Sequence, residues 1–248
     1  VSARIVDYPS RTESGVVTLE RRIGDANEPS LGIECVMARY GLVDGYPQAA
    51  VDEAASLAVD VEGALADPLR RDIRDRFAIT IDPVDARDFD DAISVARTVR
   101  GGWMLGVHIA DVSHYVDWES AIDLEARRRS TSVYLADRVL PMLPERLCND
   151  LCSLRPDEDR LAFTVDIELD AQGRVRTYEP YPSVIRSRVR MDYGAADALL
   201  REGEPDGAAL NAAARGRAEL AVEAARANGV DLRAFLRNAD ALARARRG

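Results

Sequence analysis

The chain has 248 residues, of which 47% are hydrophobic, 6% aromatic and 31% charged. These proportions are those of an ordinary globular protein and argue against a chain that is disordered throughout. We expect no secretory leader and no membrane span, because no apolar run approaches the ~18 residues that a span requires. Three cysteines are too few for a disulfide scaffold and predict reduced thiols in the cytoplasm.

The charge of the chain limits how it can bind nucleic acid. The 43 acidic and 33 basic residues give a net charge of −10, which argues against a protein that coats nucleic acid through its overall charge. All of the basic residues are arginines. Contacts with phosphate would therefore be made by planar guanidinium groups in a local groove.

The first 76 residues predict a hairpin followed by helices. Residues 4–8 and 15–20 form two short extended segments around a polar turn, which is too little for a domain. The spacing of apolar residues predicts helices over 33–40 and 51–58. The run 70–76 mixes arginine with aspartate, and we interpret it as a solvated linker at a boundary.

From residue 77 onward the sequence predicts a sheet. Apolar segments rich in β-branched residues alternate with turn residues, and Ser120 opens a helix as part of a capping box. Strands are expected over 77–81, 92–99, 103–109, 161–169, 174–178 and 184–191, and helices over 120–129, 205–228 and 232–244. The predicted fold class is α/β, of the α+β kind, with a mixed, mainly antiparallel sheet, packed helices and a poorly anchored helical C-terminal tail.

The densest chemical signal is the acidic segment from Asp82 to Asp91, which holds five carboxylates and one arginine in ten residues. Like charges at this density raise one another's pKa or recruit cations, and oxygen ligands select Mg²⁺, Mn²⁺ or Ca²⁺. A solvated acidic turn is the simpler alternative, but the segment lies between two apolar strands. An EF-hand is excluded because the glycine at position 6 and the glutamate at position 12 of such a loop are missing.

The spacing of the aspartates predicts that several of them meet. Asp88 and Asp90 are two residues apart, so their side chains leave the same face of an extended backbone, and Asp82 ends the preceding strand. Four or more carboxylates suit two divalent ions about 3.5 to 4 Å apart, which activate a water and stabilise the leaving oxygen of a phosphodiester. The implied reaction is metal-assisted hydrolysis.

Five ordered motifs give the sequence a resemblance to a known family. They are Ile81–Ser94 (IDPVDARDFDDAIS), Val107–Val116 (VHIADVSHYV), Ser132–Leu135 (SVYL), Leu140–Glu145 (LPMLPE) and Leu151–Pro156 (LCSLRP). Together they resemble the RNB catalytic domain of the ribonuclease II and ribonuclease R exoribonucleases. The similarity continues through Val184–Arg188, and upstream segments resemble the end of a cold-shock domain and its connector, namely Ile5–Pro9, Gly24–Pro29 and Arg39–Leu42.

The resemblance implies an activity, a cofactor and a set of residues. Members of the family shorten single-stranded RNA from its 3′ end by two-metal hydrolysis and release 5′-monophosphates, so Mg²⁺ or Mn²⁺ is the expected cofactor. The matching metal ligands are Asp82, Asp88, Asp90 and Asp91. Asp88 and Asp90 are also the expected catalytic residues, since Asp90 matches the aspartate whose loss abolishes catalysis but spares RNA binding. Asp85 is expected to be a bystander.

The resemblance also assigns a residue that contacts the substrate. Tyr134 matches the tyrosine that packs on the terminal nucleotide, and stacking of this kind suits any base. Taken alone, a tyrosine in a strand would be read as a core residue.

The same resemblance divides the chain. We expect the end of a cold-shock (OB) domain over 1–25, a helical connector over 26–76, the N-terminal part of the RNB domain over 77–228 and an unassigned helical tail over 229–248. Full-length relatives carry a distal RNB half and an S1 domain that are expected to be missing, which predicts a weak or inactive chain. The alternative is a degenerate, non-catalytic RNA-binding or interaction protein.

The spacing of arginines on a predicted strand indicates further candidate contacts with RNA. Arg186 and Arg188 alternate with Arg190 along one face of a predicted strand, where they would contact RNA phosphates. A charged outer face of the sheet explains the same alternation equally well. His108 and His114 are expected to be structural, because two-metal hydrolysis needs no histidine base.

Overall fold

The chain contains runs of strands and runs of helices. A computed structural model describes residues 1–25, 28, 31–201 and 212–247. The strands are β1 Ser2–Asp7, β2 Val16–Arg21, β3 Arg71–Asp72, β4 Ala78–Asp82, β5 Asp91–Arg97, β6 Trp103–Ala110, β7 Val133–Tyr134, β8 Val139–Leu140, β9 Asp159–Leu169 and β10 Val175–Asp192. The helices are α1 Gly32–Tyr40, α2 Gln48–Ser56, α3 Val61–Leu65, α4 Ala121–Arg129, α5 Tyr193–Leu200, α6 Ala212–Ala227 and α7 Leu232–Arg247, with a π-helical turn at Leu147–Leu151.

Six strands form one sheet in the order β3-β10-β4-β5-β6-β9, and β10 pairs with β9 as well. These pairings close five of the strands, β10-β4-β5-β6-β9, into a ring. Closure depends on the length of β10, because residues 175–186 run antiparallel to β9 and residues 187–192 run parallel to β4. The predicted mixed, mainly antiparallel sheet is confirmed, but the two strands predicted over 174–178 and 184–191 are one.

A chain of buried polar side chains links four strands of the ring. Ser94 Oγ lies 3.0 Å from His108 Nε2, and His108 Nδ1 lies 2.9 Å from Thr164 Oγ1. Thr164 Oγ1 lies 2.7 Å from Ser183 Oγ. Burial disfavours the charged imidazole and lowers the pKa of His108 to about 4, so this histidine is a neutral member of the interior.

The C-terminal helices cover a hydrophobic core on the sheet. Ile79 of β4 and Met191 of β10 pack with Leu232 and Phe235 of α7, and the rings of Phe77 and Phe235 meet edge to face at 5.6 Å. The prediction of a poorly anchored tail is therefore wrong, because α6 and α7 bury apolar side chains against the strands. Residues 205–211 of the predicted helix lie outside the described residues.

The N-terminal elements follow the predictions more closely. The strands β1 and β2 form the predicted hairpin, and every residue of β2 is exposed. Helices α1 and α2 are confirmed, whereas α3 and α5 were not predicted. Residues 26, 27, 29 and 30, which belong to or follow the Gly24–Pro29 motif, lie outside the described residues. Among the described helices, none combines the length and the apolar content that crossing a bilayer requires.

The run 70–76 is bound to the sheet and is not a solvated linker. Arg70 Nη2 lies 2.8 Å from Asp111 Oδ2, and both side chains are buried. Arg76 Nη1 lies 2.5 Å from Asp166 Oδ1, and β3 within the run pairs with β10. The arginines of the run therefore form ion pairs with acids that lie far away in the sequence.

Candidate active site

The acidic segment forms the loop between β4 and β5. Asp82 is the last residue of β4, and Asp91 is the first residue of β5. Phe89 is buried in the hydrophobic core, whereas Asp88 is half-buried and Asp90 is exposed. This alternation is expected of an extended backbone, and it leaves both carboxylates outside the core on either side of a buried ring.

Backbone hydrogen bonds tie the end of the loop to neighbouring segments. Leu154 N donates to Phe89 O at 2.9 Å, and Ala110 N donates to Asp90 O at 2.8 Å. Ala110 belongs to the second sequence motif, and Leu154 belongs to the fifth. Three motifs that are far apart in the sequence therefore meet at the loop.

The carboxylates of the loop repel one another. The pKa of Asp82 is raised first by burial and further by the negative charges of Asp91 and Asp88. Asp90 is exposed, but the protein around its carboxyl group removes part of the hydration of that group, and this loss raises its pKa most. The negative charges of Asp88 and Asp91 raise the pKa of Asp90 further. All four expected metal ligands thus share one electrostatic neighbourhood, while Asp85 lies on the exposed part of the loop.

The donor atoms suit a hard divalent cation. Asp82 is only 8% exposed, and its Oδ2 atom has no hydrogen-bond partner. A buried anionic oxygen is costly unless a donor or a cation meets it, and Mg²⁺ prefers carboxylate oxygens. Within the described residues, no three His, Cys, Asp or Glu side chains stand in an arrangement that could hold a metal ion. Asp88 and Asp90, which are more accessible, would have to turn toward Asp82 to complete a site.

Tyr134 lies beside this loop with its ring in solvent. The side chain belongs to β7 and is 71% exposed, so it is not a core tyrosine. Its pKa is raised chiefly by the negative charge of Asp88, then by partial burial and by Asp90. The phenol is therefore kept neutral near the acidic loop, and its ring is accessible for stacking.

Arg186 and Arg188 are held by other protein groups. Arg186 Nε donates to Asp159 Oδ1 at 2.6 Å, and Arg188 Nη2 donates to Arg74 O at 2.9 Å. With charged side chains from segment 72–75 they line an open cavity of about 450 Å³. The two arginines face the surface as the alternation predicts, but each is already engaged.

Two residues that the sequence did not connect with the loop hold its backbone. Arg190 Nη2 donates to Val84 O at 2.8 Å, and Ser153 Oγ donates to Arg87 O at 2.9 Å. The available signals are the alternating arginines of β10 and the motif that contains Ser153. Neither signal names the loop as the partner.

Cys148 is a further neighbour of the acidic loop. Burial raises the pKa of its thiol to about 11, and the charge of Asp88 contributes to the shift. Cys35, Cys148 and Cys152 are all free thiols, as the sparse cysteine content predicts.

The ring of His114 packs edge to face on the ring of Tyr115, with the ring centroids 5.2 Å apart.

Comparisons with known proteins identify the family of the chain. The RNB domain model matches residues 70–248. The chain is 43% identical over 209 residues to Ribonuclease R of Thermotoga maritima, a match that covers 82% of this chain and 29% of that relative. The chain thus spans less than a third of the length of this relative.

Solved structures give the same result. RNase R of Mycoplasma genitalium, in complex with double-stranded RNA, matches with a TM-score of 0.75 and 31% identity, over 90% of this chain and 38% of that chain. Yeast Ssd1, a pseudonuclease, matches with a TM-score of 0.65 and 20% identity, which shows a shared fold alone. The resemblance indicated by the five motifs is confirmed, and the chain belongs to the RNB-domain family, of which ribonuclease R is a member.

Proposed function

We propose that the chain is part of the catalytic domain of an exoribonuclease that hydrolyses single-stranded RNA from its 3′ end and releases 5′-nucleoside monophosphates. The observation that carries this proposal is the group of mutually repelling carboxylates around the buried Asp82, with the exposed ring of Tyr134 beside them. Carboxyl groups whose pKa values are shifted by burial and by one another are typical of functional sites. The domain boundaries at 25, 76 and 228 and the cytoplasmic location are part of the same proposal.

The acidic loop supplies the ligands for the proposed cofactor. Asp82, Asp88, Asp90 and Asp91 would hold Mg²⁺ or Mn²⁺, which when bound would activate a water and stabilise the leaving oxygen. Asp82 offers a buried oxygen at a fixed strand end. Asp88 and Asp90 are accessible enough to adjust to substrate and metal, which suits their proposed catalytic role.

Other side chains would bind the RNA. The exposed ring of Tyr134 would stack on the terminal base, a contact worth about 1–3 kcal/mol, and its neutral hydroxyl avoids repelling a phosphate. Arg186 and Arg188 would contact phosphates only in competition with the ion pair to Asp159 and the contact of Arg188 with Asp157, 3.8 Å away. Their contribution to affinity is therefore expected to be small.

On its own the chain is expected to be weak or inactive. Most affinity for RNA comes from neutralisation of phosphates by basic residues, and this chain has a net charge of −10. The distal half of the RNB domain and the S1 domain expected of full-length relatives would supply the missing contacts. Rapid processive shortening of RNA by the isolated chain would contradict this part of the proposal.

A chimaeric enzyme tests the proposal directly. The chain replaces the corresponding segment of Ribonuclease R from Thermotoga maritima, to which it is 43% identical, and acts on single-stranded RNA labelled at its 5′ end in the presence of Mg²⁺. We expect stepwise shortening from the 3′ end and release of 5′-monophosphates. Asp90→Asn is expected to abolish shortening, and Asp85→Asn, in the same loop, to preserve it.

Two results would contradict the proposal. A folded chimaera that leaves the RNA intact, beside an active parent enzyme, would show that this chain lacks a working site. Equal activity of the Asp90→Asn and parent chimaeras would show that catalysis does not use the acidic loop.

A further inference from the structure

The acidic loop has to keep repelling carboxylates together without regular secondary structure. Residues 83–90 lie outside any helix or strand, and the segment from Asp82 to Asp91 carries five carboxylates and one arginine. Repulsion of this kind favours an open, solvated loop. Contacts from outside the loop must therefore hold its backbone.

Ser153 makes the most direct of these contacts. Its side chain is fully buried, and its Oγ accepts a hydrogen bond from Phe89 N at 3.1 Å while donating to Arg87 O at 2.9 Å. One hydroxyl thus bridges the two backbone groups on either side of Asp88. The neighbouring Leu154 N donates to Phe89 O at 2.9 Å, so the same segment fixes the backbone between Asp88 and Asp90.

Arg190 holds the beginning of the loop. Its Nη2 donates to Pro83 O at 3.2 Å and to Val84 O at 2.8 Å. Its guanidinium group also lies 5.0 Å from the centroid of the Phe89 ring. The planar fork therefore joins the first turn of the loop to the buried ring between the two accessible aspartates.

We propose that Ser153 and Arg190 are positioning residues for the acidic loop, which fix its backbone so that Asp88 and Asp90 can meet Asp82 around a divalent cation. This inference rests on the proposed function of the loop. Neither residue would touch the cation, and both would act through the backbone that carries the ligands. Groups that orient metal ligands commonly change metal affinity by about 10–100-fold when removed.

The test uses the whole 248-residue chain and a matched control. Ser183 is also fully buried, and its hydroxyl lies 2.7 Å from Thr164 Oγ1 and 3.2 Å from Ala162 O. Ser153→Ala and Ser183→Ala each remove one buried hydroxyl with two hydrogen bonds, but only Ser153 touches the acidic loop. A loss of general stability should therefore be similar in the two variants.

Titration with Mn²⁺ separates a positioning role from a purely structural one. We expect Ser153→Ala to weaken Mn²⁺ binding at least about tenfold and Ser183→Ala to leave it within about twofold of the parent. Arg190→Lys, which keeps the charge but loses the fork, should weaken binding in the same direction. If Ser153→Ala does not fold, the Mn²⁺ affinity of Arg190→Lys tests the positioning role in its place.

Hydrogen exchange of the amides in residues 86–91 provides a readout that does not depend on metal. Ser153→Ala should speed their exchange, and Ser183→Ala should not. If the parent chain binds no Mn²⁺, the proposed function fails and the exchange rates alone decide the positioning role. The inference is overturned if Ser153→Ala matches Ser183→Ala in Mn²⁺ affinity or, without binding by the parent, in exchange.

Discussion

Two acidic regions of this molecule differ in the partners of their carboxylates and in the direction in which the pKa values are shifted. Around β10 and the run 70–76, the carboxylates face arginines. Asp159 receives hydrogen bonds from Arg186 and Arg74, and these lower its pKa. Arg76 and the Tyr181 hydroxyl bind Asp166 and hold its pKa down, although burial acts in the opposite direction.

In the acidic loop the carboxylates face one another. The pKa of Asp82 is raised chiefly by burial and further by Asp91 and Asp88, while Thr80 and Arg190 lower it in part. The pKa of Asp90 is raised by the protein around its exposed side chain and by Asp88 and Asp91. The paired region gains stability from its charges, whereas the loop loses stability to them. A protein tolerates such a loss where the charges serve a function, and this contrast supports the proposal that the loop is the site.

The buried histidine of the strand ring sharpens the comparison, because it is titratable but carries no charge. The pKa of His108 is about 4 in the folded chain, below its ordinary value of 6.5, so the unfolded chain binds a proton first as the pH falls. The stability that the neutral imidazole of His108 contributes is fully present above pH 6.5 and is lost as the pH falls from 6.5 to about 4. The expected loss is about 3 kcal/mol.

The measurement is the free energy of unfolding by urea at several pH values between 7 and 4. His108→Gln should remove this part of the pH dependence, and His114→Gln, at an exposed position, should retain it. Parallel curves for the parent and His108→Gln would contradict the assignment of a neutral, buried imidazole.

Asp166→Asn tests the paired region and has the next largest expected effect. The change leaves Arg76 and the Tyr181 hydroxyl without their anionic partner in a partly buried setting. We expect the free energy of unfolding at pH 7 to fall by about 2 kcal/mol. Asp85→Asn is the control and should stay within about 0.5 kcal/mol of the parent, so an equal effect of the two changes would remove the contrast.

Asp82→Asn tests the loop and should act with the opposite sign. With EDTA present, loss of the buried charge relieves the repulsion from Asp88 and Asp91, so the free energy of unfolding should rise slightly. The same urea experiment at pH 7 measures the change. A decrease as large as that of Asp166→Asn would show that the charge at position 82 stabilises the fold and would break the comparison.

Local patterns predicted the elements that local interactions decide. The hairpin strands, the helices over 33–40 and 51–58 and the acidic loop all depend on residues that are close in sequence. The continuity of β10 does not, because Pro180 and Pro182 interrupt the strand pattern. These prolines are two residues apart and remove N–H groups from one edge of the strand alone, while residues 175–186 stay paired with β9.

Other features depend on partners that are distant in the sequence. Arg76 binds Asp166, which lies 90 positions away in the sequence, and Ser153 binds Phe89, which lies 64 positions away. No periodic pattern in the sequence predicts such pairs. The anchoring of α6 and α7 could not be predicted for the same reason, since their apolar faces pack on a surface that β4 and β10 form together by pairing.

Calorimetric titration of the 248-residue chain with Mn²⁺ tests most directly whether the aspartates of the loop bind a divalent cation together. We predict binding by the parent, at least about tenfold weaker binding by Asp88→Asn and Asp90→Asn, and unchanged binding by Asp85→Asn. Absence of binding by the folded parent, or equal weakening by all three substitutions, would contradict the account. Absence of binding by the parent would favour a non-catalytic RNA-binding or interaction protein that keeps the acidic loop by descent.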